Sequence, residues 1–264
     1  MMHRHLATAI AATTLLLASA GGVRAQDATT DRPPEDRWTV TVAPYLWLTA
    51  LDGNATVAGI KSDVDVSASD LLKDLSLGAM LALDVEKGRF GIGINGLFAR
   101  VSADSDVGPL EIDATSDSGQ LTIAPYYRVL EWQYGVSSSG RPLWLVVEPE
   151  AGFRYTYLRT ELEVRGGRTV DGSESWVDPL IGSRIGLDLS DRWAIAGEGN
   201  FGGFGVGSDF TWNAQAFVGY RTTLFGRPTT FALGYRALNQ DYDHGDFGWD
   251  VTMHGPILGA ALRF

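Results

Sequence analysis

The sequence predicts an all-β fold, an antiparallel up-and-down transmembrane β-barrel, and three observations support this prediction. The chain of 264 residues contains 32 glycines, 8 tryptophans, 9 tyrosines and 11 phenylalanines, a composition that favours strands and tight turns. Apolar residues recur at every second position from Arg37 onward, as expected of strands whose two faces meet different surroundings. Short turns alternate with longer connectors along the chain, as in barrels that cross an outer membrane.

The first residues predict export from the cytoplasm. Arg4 precedes an apolar stretch at 6–20, and Val23 and Ala25 place small residues at the −3 and −1 positions of a cleavage site before Gln26. The apolar stretch is shorter than the roughly 20 residues that a membrane-spanning helix needs. We therefore expect three parts of the chain. They are a signal peptide at 1–25, a polar, disordered periplasmic leader at 26–36 and a barrel domain at 37–264.

Charge and cysteine content exclude some classes of protein. Removing Arg4 and Arg24 with the signal peptide changes the formal net charge from −11 to −13. An acidic chain without a basic cluster does not favour nucleic acid as a partner. Cysteine is absent, so the stability of an exported domain must come from packing or from a membrane rather than from disulfides.

Ten segments alternate with the period of a strand, which predicts ten strands, with eight and twelve as alternatives. The clearest is 208–222, where Phe210, Trp212 and Val218 share one face and Asn213 and Gln215 share the other. Residues 54–67 could form a further hairpin outside the bilayer, and 69–74 a short helical turn. The ten segments are 38–50, 75–86, 89–101, 114–130, 144–158, 176–189, 192–202, 208–222, 229–242 and 249–264.

The connectors predict the orientation of the barrel. The connectors at 86–89, 190–192 and 226–228 are short, whereas those between them are mostly longer and acidic. Outer-membrane barrels have short periplasmic turns and longer outer loops, so the short connectors are expected on the periplasmic side. Segment 131–142 is the exception and predicts a longer turn on that side. The long connectors are 52–74, 103–113 and 239–248.

Aromatic residues near the strand ends support the same orientation. The tryptophans divide into two sets of four, one at each predicted rim, which suggests aromatic girdles at the two water–lipid interfaces. One set is Trp38, Trp132, Trp144 and Trp193, and the other is Trp47, Trp176, Trp212 and Trp249. Phe264 is the last residue and shares an apolar face with Leu262 and Leu258, an arrangement that resembles the signal recognised by the barrel assembly machinery.

Four segments carry a resemblance to known proteins: APYLW (43–47), GGFGVGSDFTW (202–212), GYR (234–236) and GPILGAALRF (255–264). With these segments the chain resembles the small Gram-negative outer-membrane barrels of the OmpA and OmpW types. It resembles more narrowly a set of exported barrel proteins that have no assigned chemistry. The resemblance implies a barrel located in the cell outer membrane and implies no activity.

Nine charged residues are predicted to face the lumen, and two interpretations of them are open. They could line a path for solutes, or they could fill a narrow barrel with ion pairs. Small barrels have interiors just wide enough for side chains, and unpaired charges there would be costly, so we expect a plug of paired charges. The nine residues are Glu148, Glu150, Arg154, Asp178, Arg184, Asp188, Glu198, Arg221 and Arg236.

Segment 239–250 (NQDYDHGDFGWD) is the best candidate for a local site. The alternate positions of Asn239, Asp241 and Asp243 resemble a calcium loop, but His244 replaces the required glycine and Asp250 the bidentate glutamate. An Asp–His pair at the rim could also activate water, as Asp241 or Asp243 with His244. The simpler interpretation is an acidic surface loop.

The motif G-x-G-x-x-G at 91–96 lies in a predicted strand, so we expect these glycines to make room in the lumen.

The sequence therefore predicts an integral outer-membrane protein with a filled lumen and a structural or surface-interaction role. The expected partners are outer-membrane lipid and lipopolysaccharide, the assembly machinery through Phe264, and divalent cations at the acidic loops. No enzyme activity, cofactor or dedicated metal site is predicted. The alternatives are a narrow passive channel for small solutes and a hydrolase using Asp241 or Asp243 and His244.

Overall fold

The computed structural model describes residues 37–57, 59–107, 110–164 and 169–264. The signal peptide and the leader predicted at 1–25 and 26–36 lie outside the described residues. Among the described residues, no helix has both the length and the apolar character needed to span a bilayer.

Ten strands form a closed antiparallel barrel, which confirms the predicted number. Each strand pairs with the next one in the barrel, and pairs such as Thr41 with Arg263 join β1 to β13 and close the sheet. Closure leaves these ten strands without an open edge. The barrel strands are β1 Trp38–Trp47, β4 Leu75–Lys87, β5 Phe90–Val107, β6 Leu110–Tyr127, β8 Pro142–Val164, β9 Thr169–Asp188, β10 Trp193–Gly203, β11 Phe210–Leu224, β12 Arg227–His244 and β13 Phe247–Arg263.

The described residues contain three further strands and one helix outside the barrel wall. These are β2 Ala50–Val57, β3 Ile60–Val66, β7 Leu130–Val136 and α1 Ala68–Asp74. Strands β2 and β3 form the predicted extra hairpin, and β2 also pairs with β13. Helix α1 confirms the predicted helical turn; it begins at the N-cap Ser67, whose side chain accepts a hydrogen bond from the Asp70 amide.

The two ends of the barrel differ in their connectors. We call the end with the short turns at 88–89, 189–192 and 225–226 the turn end; it also holds Arg37, Phe264 and the β7–β8 hairpin that accounts for the predicted longer turn. The opposite end, with the β2–β3 hairpin, α1 and the loop at 204–209, is the loop end. Phe225 and Gly226 both have positive φ, 51° and 74°, which matches the twist of a two-residue hairpin turn.

The predicted alternation sorts side chains between lumen and exterior. In β11, Thr211, Asn213 and Gln215 are buried, whereas Phe210 and Val218 are exposed. Side chains outside the barrel form an apolar belt. Exposed aromatic residues border this belt at the turn end: Trp38, Phe90, Tyr127, Trp132, Trp193 and Phe264. They border it at the loop end as well: Phe153, Tyr155, Phe201, Phe210 and Tyr235.

The predicted tryptophan girdle is wrong at the loop end. Trp47, Trp176 and Trp249 are only 2%, 5% and 1% exposed and point into the lumen. The position of a residue along a strand sets its height in the wall, but its odd or even place sets its face. Trp176 shares its face of β9 with the inward Asp178. Its position near the strand end therefore predicted the lipid interface, whereas its face of the strand places it in the lumen. At the turn end the prediction is confirmed for Trp38, Trp132 and Trp193, while Trp144 is half-buried. The fourth tryptophan of the loop end, Trp212, is half-buried on the outward face of β11.

Candidate functional site

The lumen brings together all nine charged residues that the sequence predicted to face inward. Seven of them are at most 5% exposed, and Arg184 and Glu198 keep side-chain exposures of 12% and 9%. The lumen has two parts. The charged half lies toward the turn end, and the apolar half lies toward the loop end. The seven most buried residues are Glu148, Glu150, Arg154, Asp178, Asp188, Arg221 and Arg236.

Arg184 is the centre of the charged half. Its Nη1 lies 2.9 Å from Asp84 Oδ2 and its Nε 2.8 Å from Glu150 Oε2, with Glu198 Oε2 at 3.6 Å. These carboxylates come from β4, β8 and β10, so one guanidinium connects three parts of the wall. The Arg184 guanidinium also stacks on Tyr126, 4.7 Å from its ring centre. Gly93 makes this geometry possible, because a Cβ there would lie 1.9 Å from Arg184 Nη2.

Further ion pairs lie in the lumen nearer the turn end. Arg128 Nη2 lies 3.0 Å from Glu86 Oε2, and Arg128 Nε lies 2.9 Å from Glu148 Oε1. Arg221 pairs with Asp188, and both side chains are at most 3% exposed. The prediction that lumen charges pair is therefore confirmed for these residues. Arg128 and Glu86 were not among the predicted inward charges. The alternation of segment 75–86 could have identified Glu86 as an inward residue.

Two asparagines connect a second layer of arginines to these carboxylates. Asn200 accepts a 3.0 Å hydrogen bond from Arg154 Nη2 and donates one of 3.2 Å to Glu150. Asn213 accepts a 2.7 Å bond from Arg236 Nε and donates one of 3.4 Å to Glu198. Arg154 therefore donates to an amide and a hydroxyl rather than to a carboxylate, which corrects the expected pairing there.

Glutamines join opposite walls of the barrel at the top of the charged half. Gln120 on β6 donates to Gln240 on β12 over 3.4 Å, and these strands are five places apart in the ten-strand order. Gln240 also donates to Thr156 at 3.1 Å and to Asp178 at 3.3 Å. Asp178 is held by neutral donors, including the Ser208 amide at 2.6 Å. These contacts therefore span the lumen from one wall to the other at this level.

The apolar half resembles the core of a soluble protein. Leu51, Leu238 and Met253 are fully buried there, and Trp176 stacks on Tyr242 with ring centres 4.1 Å apart. Leu71 of α1 joins the same cluster, so the helix and the β2–β3 hairpin cover this end of the lumen.

The described lumen holds a small cavity beside Arg184 and Glu198. Its volume is about 20 Å³, and Glu148, Gln215 and Phe217 also line it. That volume is close to what one water molecule occupies. Both polar atoms of the Gln215 amide are buried there without a hydrogen-bond partner, so a polar occupant of this size would satisfy them.

Segment 239–250 is a hairpin of β12 and β13, not a calcium loop. Asp241 lies opposite Asp250 in the ladder, and Asp243 lies opposite Gly248. Alternate residues of a strand lie along one flat face, whereas a calcium loop must curl its ligands around the ion. In the described part of the chain, no three histidine, aspartate or glutamate side chains are grouped to hold a metal ion.

The predicted Asp–His pair is not assembled. His244 follows Asp243 directly on β12 and therefore faces the opposite side of the strand, where its ring lies 6.4 Å from that of Tyr242. The other histidine of the barrel domain has the carboxylate partner. His254 Nε2 lies 2.7 Å from Asp52 Oδ2, and its Nδ1 lies 2.7 Å from the Tyr235 hydroxyl. This chain of three residues, which the sequence did not indicate, fastens β2 to the outer face of β13.

Two carboxylates outside the barrel wall have lowered pKa values. Hydrogen bonds from Ser137 and Ser139 lower the pKa of Asp191 in a short connector of the turn end. A hydrogen bond from Lys73 and a second from Ser67 lower the pKa of Asp70 in α1. Both groups are accordingly ionised at neutral pH, and each holds a connector in place.

Comparison with known proteins identifies the fold. No family model matches the chain, and no curated protein matches its sequence. The crystal structure of the outer-membrane protease OmpT from Escherichia coli is similar, with a TM-score of 0.55 and 10% sequence identity over 89% of this chain and 100% of that one. Ail of Yersinia pestis, in complex with sucrose octasulfate, gives 0.37 and 13% over 87% and 99%. A FadL homologue of Pseudomonas aeruginosa gives 0.32 and 8% over 96% and 99%. The likeness to the OmpT structure shows that the two chains share a β-barrel fold.

Proposed function

We propose that the chain is an integral outer-membrane barrel with a closed lumen and a structural or surface-interaction role. The observation that carries this proposal is the set of contacts across the lumen. Arg184 joins carboxylates of three strands, and Gln120 meets Gln240 from the opposite wall. A barrel of ten strands is narrow enough for side chains to fill, whereas aqueous channels are found in barrels of about 16 strands.

The turn end faces the periplasm in this proposal, and the loop end faces the outside. Short turns on one side and longer connectors on the other support this orientation. Phe264 supports it too: its side chain is 54% exposed at the turn end, while its backbone exchanges hydrogen bonds of 2.8 and 3.2 Å with Val40. In this proposal the exposed ring of Phe264 on the closing strand is offered to the barrel assembly machinery.

In this proposal the surface that interacts with partners is the acidic outer surface of the loop end, beyond the apolar belt. Carboxylates are exposed there on β2, β3, β12 and β13, in the β12–β13 turn and in the loop before β11. Divalent cations bound between such carboxylates and the phosphates of lipopolysaccharide would link the barrel to its lipid neighbours. The exposed residues are Asp52, Asp63, Asp65, Asp209, Asp243, Asp246 and Asp250.

Ion conduction in a planar bilayer tests the closed lumen. The folded barrel is first verified by its altered gel mobility without boiling, and single-channel current is then recorded. We expect no steady openings, because contacts between opposite walls block the path. Steady openings of the wild-type chain would overturn the closed lumen and favour the passive channel.

A matched pair of variants locates the block. Replacing Gln120 and Gln240 by alanine together removes the contact between opposite walls, and we expect brief leak currents from that variant alone. Lys61→Gln, on the exposed face of β3, is the control and should stay silent. Equal leak currents in both variants would show that the glutamine contact does not contribute to closure.

A further inference from the structure

The exposed cations of the turn end form a rim around the barrel. They lie at the start of β1 and at three of the short connectors, so they are spread over the circumference rather than gathered in a pocket. We call this set the basic rim. Its members are Arg37, Lys87, Arg89, Arg192 and Arg227, and all five are exposed.

Three cations of the basic rim contact an aromatic side chain, and the other two directly precede an aromatic residue in the sequence. Lys87 Nζ lies 5.7 Å from the ring centre of Trp38, and Arg227 Cζ lies 5.1 Å from that of Phe264. Arg192 donates a 2.9 Å hydrogen bond to the Tyr220 hydroxyl. Arg37 and Arg89 directly precede Trp38 and Phe90 in the sequence. The aromatic rings border the apolar belt, and the cations lie just beyond them.

The basic rim differs from the loop end in how its cations are paired. Within the described residues, no carboxylate lies within 4.0 Å of Lys87, Arg89, Arg192 or Arg227. At the loop end, Lys73 lies 2.8 Å from Asp70, and Arg159 lies 3.6 Å from Asp171. These four charges of the basic rim are therefore available to an external anion, whereas Lys73 and Arg159 of the described loop end are already neutralised.

We infer that the basic rim binds the phosphates of anionic phospholipid headgroups in the leaflet that surrounds the turn end. Amphipathic aromatic rings settle at the headgroup level of a bilayer, and lysine and arginine reach past them toward the phosphates. A cation near an anionic lipid surface favours association by about fivefold. This inference rests on the proposed function, because it needs a barrel embedded in lipid with the belt at bilayer height.

The arrangement favours lipid over a dissolved phosphate ester. A compact phosphate site would gather several donors around one anion. The basic rim instead distributes its cations over the start of β1, the β4–β5 turn, the β9–β10 turn and the start of β12, which fits a plane of headgroups. Asp191, the carboxylate nearest Arg192 in sequence, is held by Ser139 over 2.6 Å and does not pair with that arginine.

Lipid preference of the folded barrel tests the inference. The protein is folded into mixed vesicles of phosphatidylcholine and phosphatidylglycerol, extracted, and the lipids retained are counted by native mass spectrometry. We expect wild type to retain phosphatidylglycerol about tenfold over its share of the vesicle. The variant with Lys87, Arg89, Arg192 and Arg227 all changed to glutamine should lose that preference.

Two controls keep the outcomes distinct. A variant with Lys61, Lys73 and Arg159 changed to glutamine loses a similar amount of charge at the loop end and should keep the wild-type preference. An unchanged preference in the basic-rim variant overturns the inference, as does full displacement of the lipid by inorganic phosphate. Failure of the wild-type chain to enter vesicles, read from its gel mobility, would instead contradict the proposed function.

Discussion

The charged half and the apolar half of the lumen fill the same barrel with side chains of opposite chemistry. The charged half depends on Arg184, whose ion pairs require the correct register of several strands. The apolar half depends on side chains such as Leu238 and Met253, which pack without directional bonds. The comparison shows that the interior of a barrel can be filled either by ion pairs or by apolar packing. The two halves should differ in how well they tolerate substitutions.

This difference in tolerance follows from what is left behind when an ion pair or an apolar contact is removed. A buried ion pair contributes little relative to a well-packed apolar group, yet removing one partner leaves a buried charge that costs about 3–5 kcal/mol. An apolar contact that is removed costs only the lost burial and the resulting cavity. We therefore expect the charged half to be sensitive to the loss of a charge and the apolar half to the loss of volume.

The largest expected effect comes from Arg184→Met, which keeps the unbranched stem of the side chain and removes the guanidinium with its charge. Asp84, Glu150 and Glu198 would then share one region without their common guanidinium. We expect the free energy of unfolding in urea to fall by about 4 kcal/mol. A loss below about 1 kcal/mol would mean that water or protonation already neutralises these carboxylates.

A compensating variant sharpens that result. Replacing Asp84 by asparagine, and Glu150 and Glu198 by glutamine, in the Arg184→Met background removes the uncompensated charges together. We expect this variant to recover at least half of the lost stability, because a whole ion network can be replaced with little net cost. No recovery would show that Arg184 stabilises the barrel through packing.

The next effect in size belongs to the apolar half. Leu238→Ala, at a fully buried position, should lower the free energy of unfolding by about 3 kcal/mol. Leu238→Met nearly conserves volume and should cost less than about 1.5 kcal/mol. Equal losses for the two variants would contradict the view that this half is held by packing volume.

A smaller effect is expected where the wall makes room for the charged half. In Gly93→Ala the new methyl group would collide with the Arg184 guanidinium, which must move away from its carboxylates. We expect a loss of about 2 kcal/mol. Gly96→Ala in the same strand is the control, because its Cβ would meet nothing within 4 Å. If both variants unfold at the same urea concentration, Gly93 is not required for the position of Arg184.

Much of this fold could be predicted from the sequence, because a barrel repeats one local rule. Alternation with period two identified all ten barrel segments and the inward face of every charged residue chosen, and Gly93 was expected to make room in the lumen. The contacts between those residues could not be predicted. Asp84 and Arg184 are 100 positions apart in sequence, and whether they meet depends on the register and stagger of several strand pairs.

The wrong predictions came from patterns that ignored the strand itself. The tryptophan girdle used the height of Trp47 and Trp249 and overlooked their inward face. The calcium motif at 239–250 used ligand spacing and overlooked that a straight hairpin spreads alternate residues along one face. The girdle was inferred from the position of the tryptophans along the strands, and the calcium loop from the spacing of its ligands. In both segments the alternation of side chains between the two faces of a strand would have given the correct answer.

The smallest expected effect concerns the hairpin that covers the apolar half. His254 joins Asp52 of β2 to Tyr235 of β12 by two contacts of 2.7 Å on the outer face. His254→Leu removes both and should lower the free energy of unfolding by about 1 kcal/mol. Tyr235→Phe removes one and is the matched control.

Because β2 is otherwise held by Leu51 and its backbone pairs with β13, the change should appear mainly as faster proteolysis within β2–β3. Cleavage there while the barrel keeps its compact gel mobility would show that the cover opens independently of the charged half. Simultaneous loss of both would mean that the two halves of the lumen unfold as one unit.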